Sequence, residues 1–74
     1  MAQLPRISDH ETVMVFESLG WSPMGQIGSH MILVREDHPA TLSVPNHKEV
    51  AKGTLRGLIR SAGIPVDDFV NAMA

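Results

Sequence analysis

Hydrophobic residues near the start of the chain recur at the spacing of one helix face. One stripe falls at positions i, i+3, i+4 and i+7 and contains Thr12, Val15, Phe16 and Leu19. Ser8 and Glu11 have the spacing of a capping box, in which their side chains accept free backbone N–H groups of the first turn. Gly20 can take the left-handed conformation that ends many helices. The pattern predicts an α-helix over about 9–19 with this stripe facing the core.

A second helical stripe lies near the end of the chain and contains Leu55, Leu58, Ile59 and Ala62. This helix is predicted to begin at Lys52 and to stop at Gly63. Pro65 interrupts the pattern, and the chain then restarts as a short terminal helix. The carboxylates of Asp67 and Asp68 suit the positive end of its dipole.

Three short segments between the helices have the composition of β-strands. The first, 21–26, contains Pro23, which cannot donate to a sheet and therefore suits an edge strand. The second, 29–35, is rich in Ile, Leu and Val. The third, 41–44, alternates apolar and polar residues until Pro45 stops it. We therefore predict an α+β fold with a helix, a three-stranded antiparallel sheet, a helix and a short C-terminal helix.

Length and composition restrict the class of protein. With 74 residues, we expect a single domain over 1–74, close to the lower size limit for unaided folding. The sequence has no cysteine, so it can form no disulfide and no thiolate metal site, which suits a reducing cytoplasm. No apolar run approaches the ~18 to 20 residues of a membrane span. We expect neither a signal peptide nor a membrane anchor.

Basic charge is concentrated in one segment, although the net charge is −2. Between 47 and 60, Glu49 is the one acidic residue. Lys52, Arg56 and Arg60 recur every four residues there and so share one side of the second helix; we call them the basic stripe. The basic stripe either follows an RNA backbone or is an ordinary solvated face.

Two further features can bind a phosphate. The second helix opens with Lys52, Gly53 and Thr54, where free amides and the helix dipole favour an anion. The alternative is that Gly53 has no role in anion binding and is an ordinary glycine near the helix cap. Ser29 either donates its hydroxyl to a phosphate or caps the turn in which it lies, and the residues themselves leave both alternatives open.

Histidine is the candidate catalytic residue type. His30 follows a Gly-Ser turn at the start of the central strand, where an imidazole can take up a proton and return it near neutral pH; otherwise it packs or is merely solvated. His47 either supplies a proton to a leaving group or is an ordinary loop residue. His10 and His38 are expected to be exposed and without a role. Two histidines without a carboxylate ligand make a poor metal site, so we expect no metal and no cofactor.

Four short motifs occur in order along most of the chain. They are Leu19-Gly20-Trp21, Gly28-Ser29-His30, Val44-Pro45-Asn46-His47 and Lys52-Gly53-Thr54-Leu55, the last in a helix that ends Ser61-Ala62-Gly63-Ile64. With these motifs the chain resembles the HicA family of toxin–antitoxin ribonucleases, whose fold is similar to the double-stranded-RNA-binding domain. One difference is Gly25 before Gln26, where the family often has arginine. A basic residue near the substrate is then absent, and RNA affinity or preference can differ from that of the family.

The resemblance also implies an activity. In the HicA family the histidine that corresponds to His30 is catalytic. The family members are metal-independent endoribonucleases (mRNA interferases) that cleave single-stranded mRNA and are inhibited by a HicB-type antitoxin. We therefore expect His30 to be the general base of a cytoplasmic endoribonuclease. A non-catalytic RNA-binding module and a protein-interaction domain of the same fold are the alternatives.

Side chains alternate along a strand, which divides the central strand into two faces. His30, Ile32 and Val34 share one face, here called the open face, and Met31 shares the other with Leu33. Because His30 must be reachable by RNA, we expect Met31 and Leu33 to point into the core. Ile32 and Val34 then form an apolar patch, on which we expect an antitoxin or a second copy of the protein to dock.

Overall fold

The chain forms its helices and strands in the order that the hydrophobic pattern predicts. The computed structural model describes residues 3–73. Their elements are α1 (Asp9–Ser18), β1 (Ser22–Ile27), β2 (His30–Val34), β3 (Thr41–Pro45), α2 (Lys52–Ala62) and α3 (Val66–Ala72). The α+β prediction is therefore confirmed, and the arrangement is consistent with a double-stranded-RNA-binding-domain-like fold. Within residues 3–73, every helix is too short or too polar to span a lipid bilayer.

The predicted capping box begins α1. The Glu11 N–H donates to Ser8 Oγ at 3.1 Å, and the Ser8 N–H donates to Glu11 Oε1 at 3.2 Å. Thr12 is fully buried, and its hydroxyl donates to the Ser8 carbonyl at 2.8 Å, so the polar group has a partner in the core. Val15 and Phe16 continue the buried side of the helix.

The three strands form one antiparallel sheet in the order β1-β2-β3. A two-residue turn, Gly28 and Ser29, joins β1 to β2, and Gly28 has φ 58°. Glycine takes such a positive φ at little steric cost, and this turn fixes the pairing of Ile27 with His30. Met24 is the extra residue of a bulge in β1, which lies at the sheet edge as the position of Pro23 predicts.

The strand ends differ slightly from the prediction. Trp21 lies just before β1, and Ser29 belongs to the turn rather than to β2. Pro45 is the last residue of β3, opposite His30, instead of stopping the strand before it. Because β3 is an edge strand, it accommodates a residue that has no N–H to donate.

Both long helices contribute their predicted stripes to one core. Leu55, Leu58, Ile59 and Ala62 are all buried on α2, and Gly63 ends that helix with φ 75°. Phe16 packs against Trp21 and Phe69, with ring centroids 6.4 and 5.1 Å apart. Phe16 and Trp21 both belong to the core, since they are 0% and 2% exposed.

His38 corrects one prediction, because it is not an ordinary exposed residue. Its ring packs beside that of Trp21, with centroids 5.2 Å apart, and its Nδ1 accepts from the Ala40 N–H at 3.1 Å. The side chain is half-buried. The contact joins residues from different segments, which is why local sequence did not indicate it. His10 is exposed, as expected.

Candidate functional site

His30 is exposed at the first position of the central strand. It lies between Ile27 of β1 and Pro45 of β3, so the backbone on both sides holds its position. Leu33 is fully buried and Met31 packs against the core. Alternation along β2 therefore directs the His30 side chain to the sheet face that is away from the core.

The open face carries apolar surface next to His30. Ile32 and Val34 are half-buried, and neither is part of the core cluster. At the rim of this face, Ile27 is 71% exposed and Met24 is 67% exposed. The exposure of Ile27 and Met24 was not predicted from the sequence, because it follows from the hairpin pairing and the bulge. The surface around His30 is therefore apolar as well as accessible.

Backbone hydrogen bonds hold two candidate residues, Ser29 and His47, at the same end of the sheet as His30. The Asn46 N–H donates to the Ser29 carbonyl at 2.7 Å, and the His47 N–H donates to the Pro45 carbonyl at 2.9 Å. The His47 carbonyl accepts from the Asp9 N–H at 3.1 Å. The loop that carries His47 is thus tied both to the sheet and to the first residue of α1.

The basic stripe lies on the exposed side of α2. Lys52, Arg56 and Arg60 are all exposed, and Arg60 lies eight residues beyond Lys52, about 12 Å along the helix axis. The ion pairs of residues 3–73 join Arg6 to Glu49 at 3.2 Å and Arg35 to Asp37 at 2.6 Å, so neither uses the stripe. Because α2 packs beside β3 on the core side of the sheet, the stripe and the His30 side chain lie on different layers.

The start of α2 is open to an anion. Ala51, its cap residue, makes no side-chain cap hydrogen bond, and the first turn has no acidic residue. A Cβ added at Gly53 would meet no atom within 4 Å, and Gly53 does not have a positive φ. Neither packing nor backbone conformation therefore requires glycine at this position.

Arg35 has a structural role that the sequence did not indicate. Its Nη1 donates to the Leu19 carbonyl at 2.9 Å, and its Nε donates to Asp37 Oδ1 at 2.6 Å. The hydrogen bond from Arg35 holds the pKa of the Asp37 carboxyl below its ordinary value. Arg35 therefore joins the end of α1 to the turn after β2 and is engaged within the fold. Elsewhere in residues 3–73, no three His, Asp, Glu or Cys side chains come together as a metal site would require.

Comparison with known protein families gives a match over most of the chain. A family model described as "HicA toxin of bacterial toxin-antitoxin" matches residues 10–64. The matched segment runs from the first turn of α1 through α2 and includes His30, His47 and the basic stripe. No curated protein and no solved structure matches the chain.

Proposed function

Since the chain belongs to the HicA toxin family of bacterial toxin–antitoxin systems, we propose that it is an endoribonuclease that cleaves single-stranded mRNA with His30 as general base. The proposal treats residues 1–74 as one HicA-like domain acting in the cytoplasm. The observation that carries it is the position of His30: an exposed imidazole on a backbone held from both sides, within the segment that the family model matches.

The proposed chemistry uses the nucleophile that RNA itself carries. His30 takes the proton of a ribose 2′-hydroxyl, and the 2′-oxygen attacks the adjacent phosphorus. The bond from phosphorus to the 5′-oxygen breaks, and that oxygen takes up a proton. The products are a 2′,3′-cyclic phosphate and a 5′-hydroxyl, and no step calls for a metal ion. His47, held at the same end of the sheet by its backbone, is the proposed donor of the second proton.

The RNA backbone is proposed to contact three parts of the surface. Ser29 directly precedes His30 and is the nearest candidate for a phosphate contact. The start of α2 at Lys52, Gly53 and Thr54 offers backbone amides, and its first turn holds no acidic residue, which supports a second contact. Arg56 and Arg60 are free of the ion pairs found in residues 3–73 and extend this path along α2.

A HicB-type antitoxin is the proposed protein partner. Membership of a toxin family implies an antitoxin, and the open face offers apolar surface at Ile32 and Val34 beside His30. A partner docked there would cover the imidazole and the apolar patch together, so inhibition would be coupled to the burial of apolar area. A homodimer through the same face is the competing arrangement.

A protein-interaction domain without catalysis is the second candidate function. The exposed side chains of Ile27 and Met24 at the rim of the open face favour it, because isolated small proteins seldom display large contiguous apolar patches. It predicts partner binding without RNA cleavage, so an assay on RNA alone distinguishes it from the ribonuclease.

Cleavage of RNA but not DNA, in the presence of excess chelator, is the first expected result. The reason is that DNA lacks the 2′-hydroxyl on which the proposed step depends. Purified protein is incubated with matched single-stranded RNA and DNA, and the RNA ends are analysed for 2′,3′-cyclic phosphate. Cleavage of the DNA strand, or complete loss of RNA cleavage when chelator is added, would contradict this mechanism.

A further inference from the structure

A groove of about 240 Å³ lies on the opposite side of the sheet from His30, at the same end. Its lining residues are Asp9, His10, Gln26, Met31, Val44 and Asn46. We propose that this groove binds a single nucleobase of the RNA, and that Gln26, Asn46 and Asp9 select adenine or cytosine over uracil. The inference rests on the proposed function in one respect, because it takes RNA as the ligand.

The sheet register places the groove next to the row of paired residues that contains His30, but on the opposite face of the sheet. Ile27, His30 and Pro45 form the outermost row of paired residues, with His30 on the open face. The next row is Gln26, Met31 and Val44, whose side chains point to the opposite face and line the groove. Asn46 follows Pro45, and its N–H is bonded to the Ser29 carbonyl, so one backbone edge separates the groove from His30. A strand of RNA crossing this edge has a phosphate near His30 and a neighbouring base at the groove.

The chemistry of the lining favours a base over a phosphate. No lysine or arginine lines the groove, and the Asp9 carboxylate would repel an anion. Met31, which is half-buried, supplies apolar surface for an aromatic ring, whereas Val44 is fully buried. The groove is also smaller than the ~300 to 1,000 Å³ of sites for drug-sized ligands, which suits a fragment the size of one base. Single-stranded RNA is commonly recognised through such unstacked bases.

The side-chain oxygens of Gln26, Asn46 and Asp9 can accept hydrogen bonds from an amino group. Gln26 Nε2 donates to the Gly28 carbonyl at 3.3 Å, which orients the amide and leaves Oε1 to accept. Amide side chains pair with the amino and ring-nitrogen edge of adenine, and a carboxylate accepts from the amino group of cytosine. Uracil has carbonyl oxygens at the corresponding positions, so it gives the oxygens of Gln26, Asn46 and Asp9 fewer donors. The groove therefore takes adenine or cytosine in preference to uracil.

The test is an NMR titration of the folded chain with adenosine, cytidine and uridine 5′-monophosphates and with ribose 5-phosphate. The side-chain amide signals of Gln26 and Asn46 are expected to shift with the adenosine or the cytidine nucleotide, more weakly with uridine, and not with ribose 5-phosphate. Asn46→Ala is expected to lower the affinity about tenfold. Asn71→Ala, which removes an exposed amide from α3, is the matched control and should leave the affinity unchanged.

Three results would overturn the subsite: no shift of these signals with any nucleotide, equal shifts with ribose 5-phosphate, or equal affinity for the uridine nucleotide. Because the titration measures no cleavage, it separates this proposal from the catalytic one. Base binding that persists in His30→Ala supports the subsite whatever that variant does to RNA. If the Gln26 and Asn46 signals did not shift in a protein that still cleaves RNA, the base subsite would be rejected and the catalytic proposal would stand.

Discussion

His30 and His38 differ in what surrounds them, and the difference supports the different roles proposed for them. His38 is held by the ring of Trp21 and by the Ala40 N–H. His30 is exposed, and only its backbone is fixed by the sheet. A side chain packed within the fold contributes to stability, whereas an exposed side chain is available to react with a substrate.

Replacing His38 by Ala is therefore expected to destabilise the protein by about 1 to 2 kcal/mol, because it removes a hydrogen-bond acceptor and a half-buried ring. His30→Ala is expected to change the free energy of unfolding by less than about 0.5 kcal/mol. Urea unfolding followed by Trp21 fluorescence measures both. If His30→Ala proved as destabilising as His38→Ala, the exposed position of His30 would be wrong.

At the level of elements, the two sides of α2 differ in burial and charge. One side, Leu55, Leu58, Ile59 and Ala62, is buried in the core. The other side carries the basic stripe and also Gly53 and Gly57, at which an added Cβ would meet no atom within 4 Å. Glycine inside a helix is less favourable than alanine by about 1 kcal/mol, and internal packing gives no compensation here. The exposed side of α2 is therefore consistent with close approach of a ligand.

The salt dependence of RNA binding tests whether the basic stripe contacts phosphates. Three contacts at about −0.7 each predict a slope of roughly −2 for the logarithm of affinity against that of salt concentration. Arg56→Gln with Arg60→Gln should reduce the slope to about −0.7. Arg6→Gln removes a charge that is already paired with Glu49, so it serves as the control and should leave the slope unchanged. An unaltered slope in the double variant would mean that the stripe is only a solvated face.

Elements with local signals were predictable, whereas contacts between distant segments were not. The capping box of α1, the apolar stripe of α2 and the glycine at its end are all visible in neighbouring residues. The exposed position of His30 at the start of β2 was predictable from the Gly-Ser turn before it and the alternation of its strand. The contacts of His38 and Arg35 were not, because they depend on how the turn after β2 meets α1 and β1. The groove behind His30 likewise depends on the pairing register and on the placement of α1.

The whole molecule has two unlike sides. The helices and the core cover one face of the sheet, and within residues 3–73 no element covers the open face. A small domain gains stability by burying apolar side chains, so apolar surface left uncovered beside a candidate catalytic residue suggests a partner. This arrangement is the basis for proposing that the antitoxin docks on the open face.

Ile32→Asp combined with Val34→Asp is expected to weaken binding of a HicB-type antitoxin by about 100-fold or more, because it forces charges into an apolar contact. Calorimetric titration measures the affinity. Ser61→Asp with Asn71→Asp adds the same charge at exposed helix positions and should leave the affinity unchanged.

The isolated double variant is expected to remain folded, which its NMR spectrum reports. Unfolding would place Ile32 and Val34 in the core, and the assignment of His30 to the open face would fail with them. If the folded variant bound the antitoxin with unchanged affinity, the antitoxin would dock on a surface other than the open face. A dimer of the parent protein that dissociates in the variant would assign the face to a second copy instead.

The single-turnover rate of RNA cleavage by His30→Ala shows whether His30 is the general base of an endoribonuclease. Thr41→Ala is the control, since Thr41 is also exposed but pairs with Val34 at the other end of β2. The role of His30 as general base predicts a loss of about 10²- to 10⁴-fold for His30→Ala, with the fold intact, and no loss for Thr41→Ala. Cleavage by His30→Ala at the rate of the parent protein would contradict it.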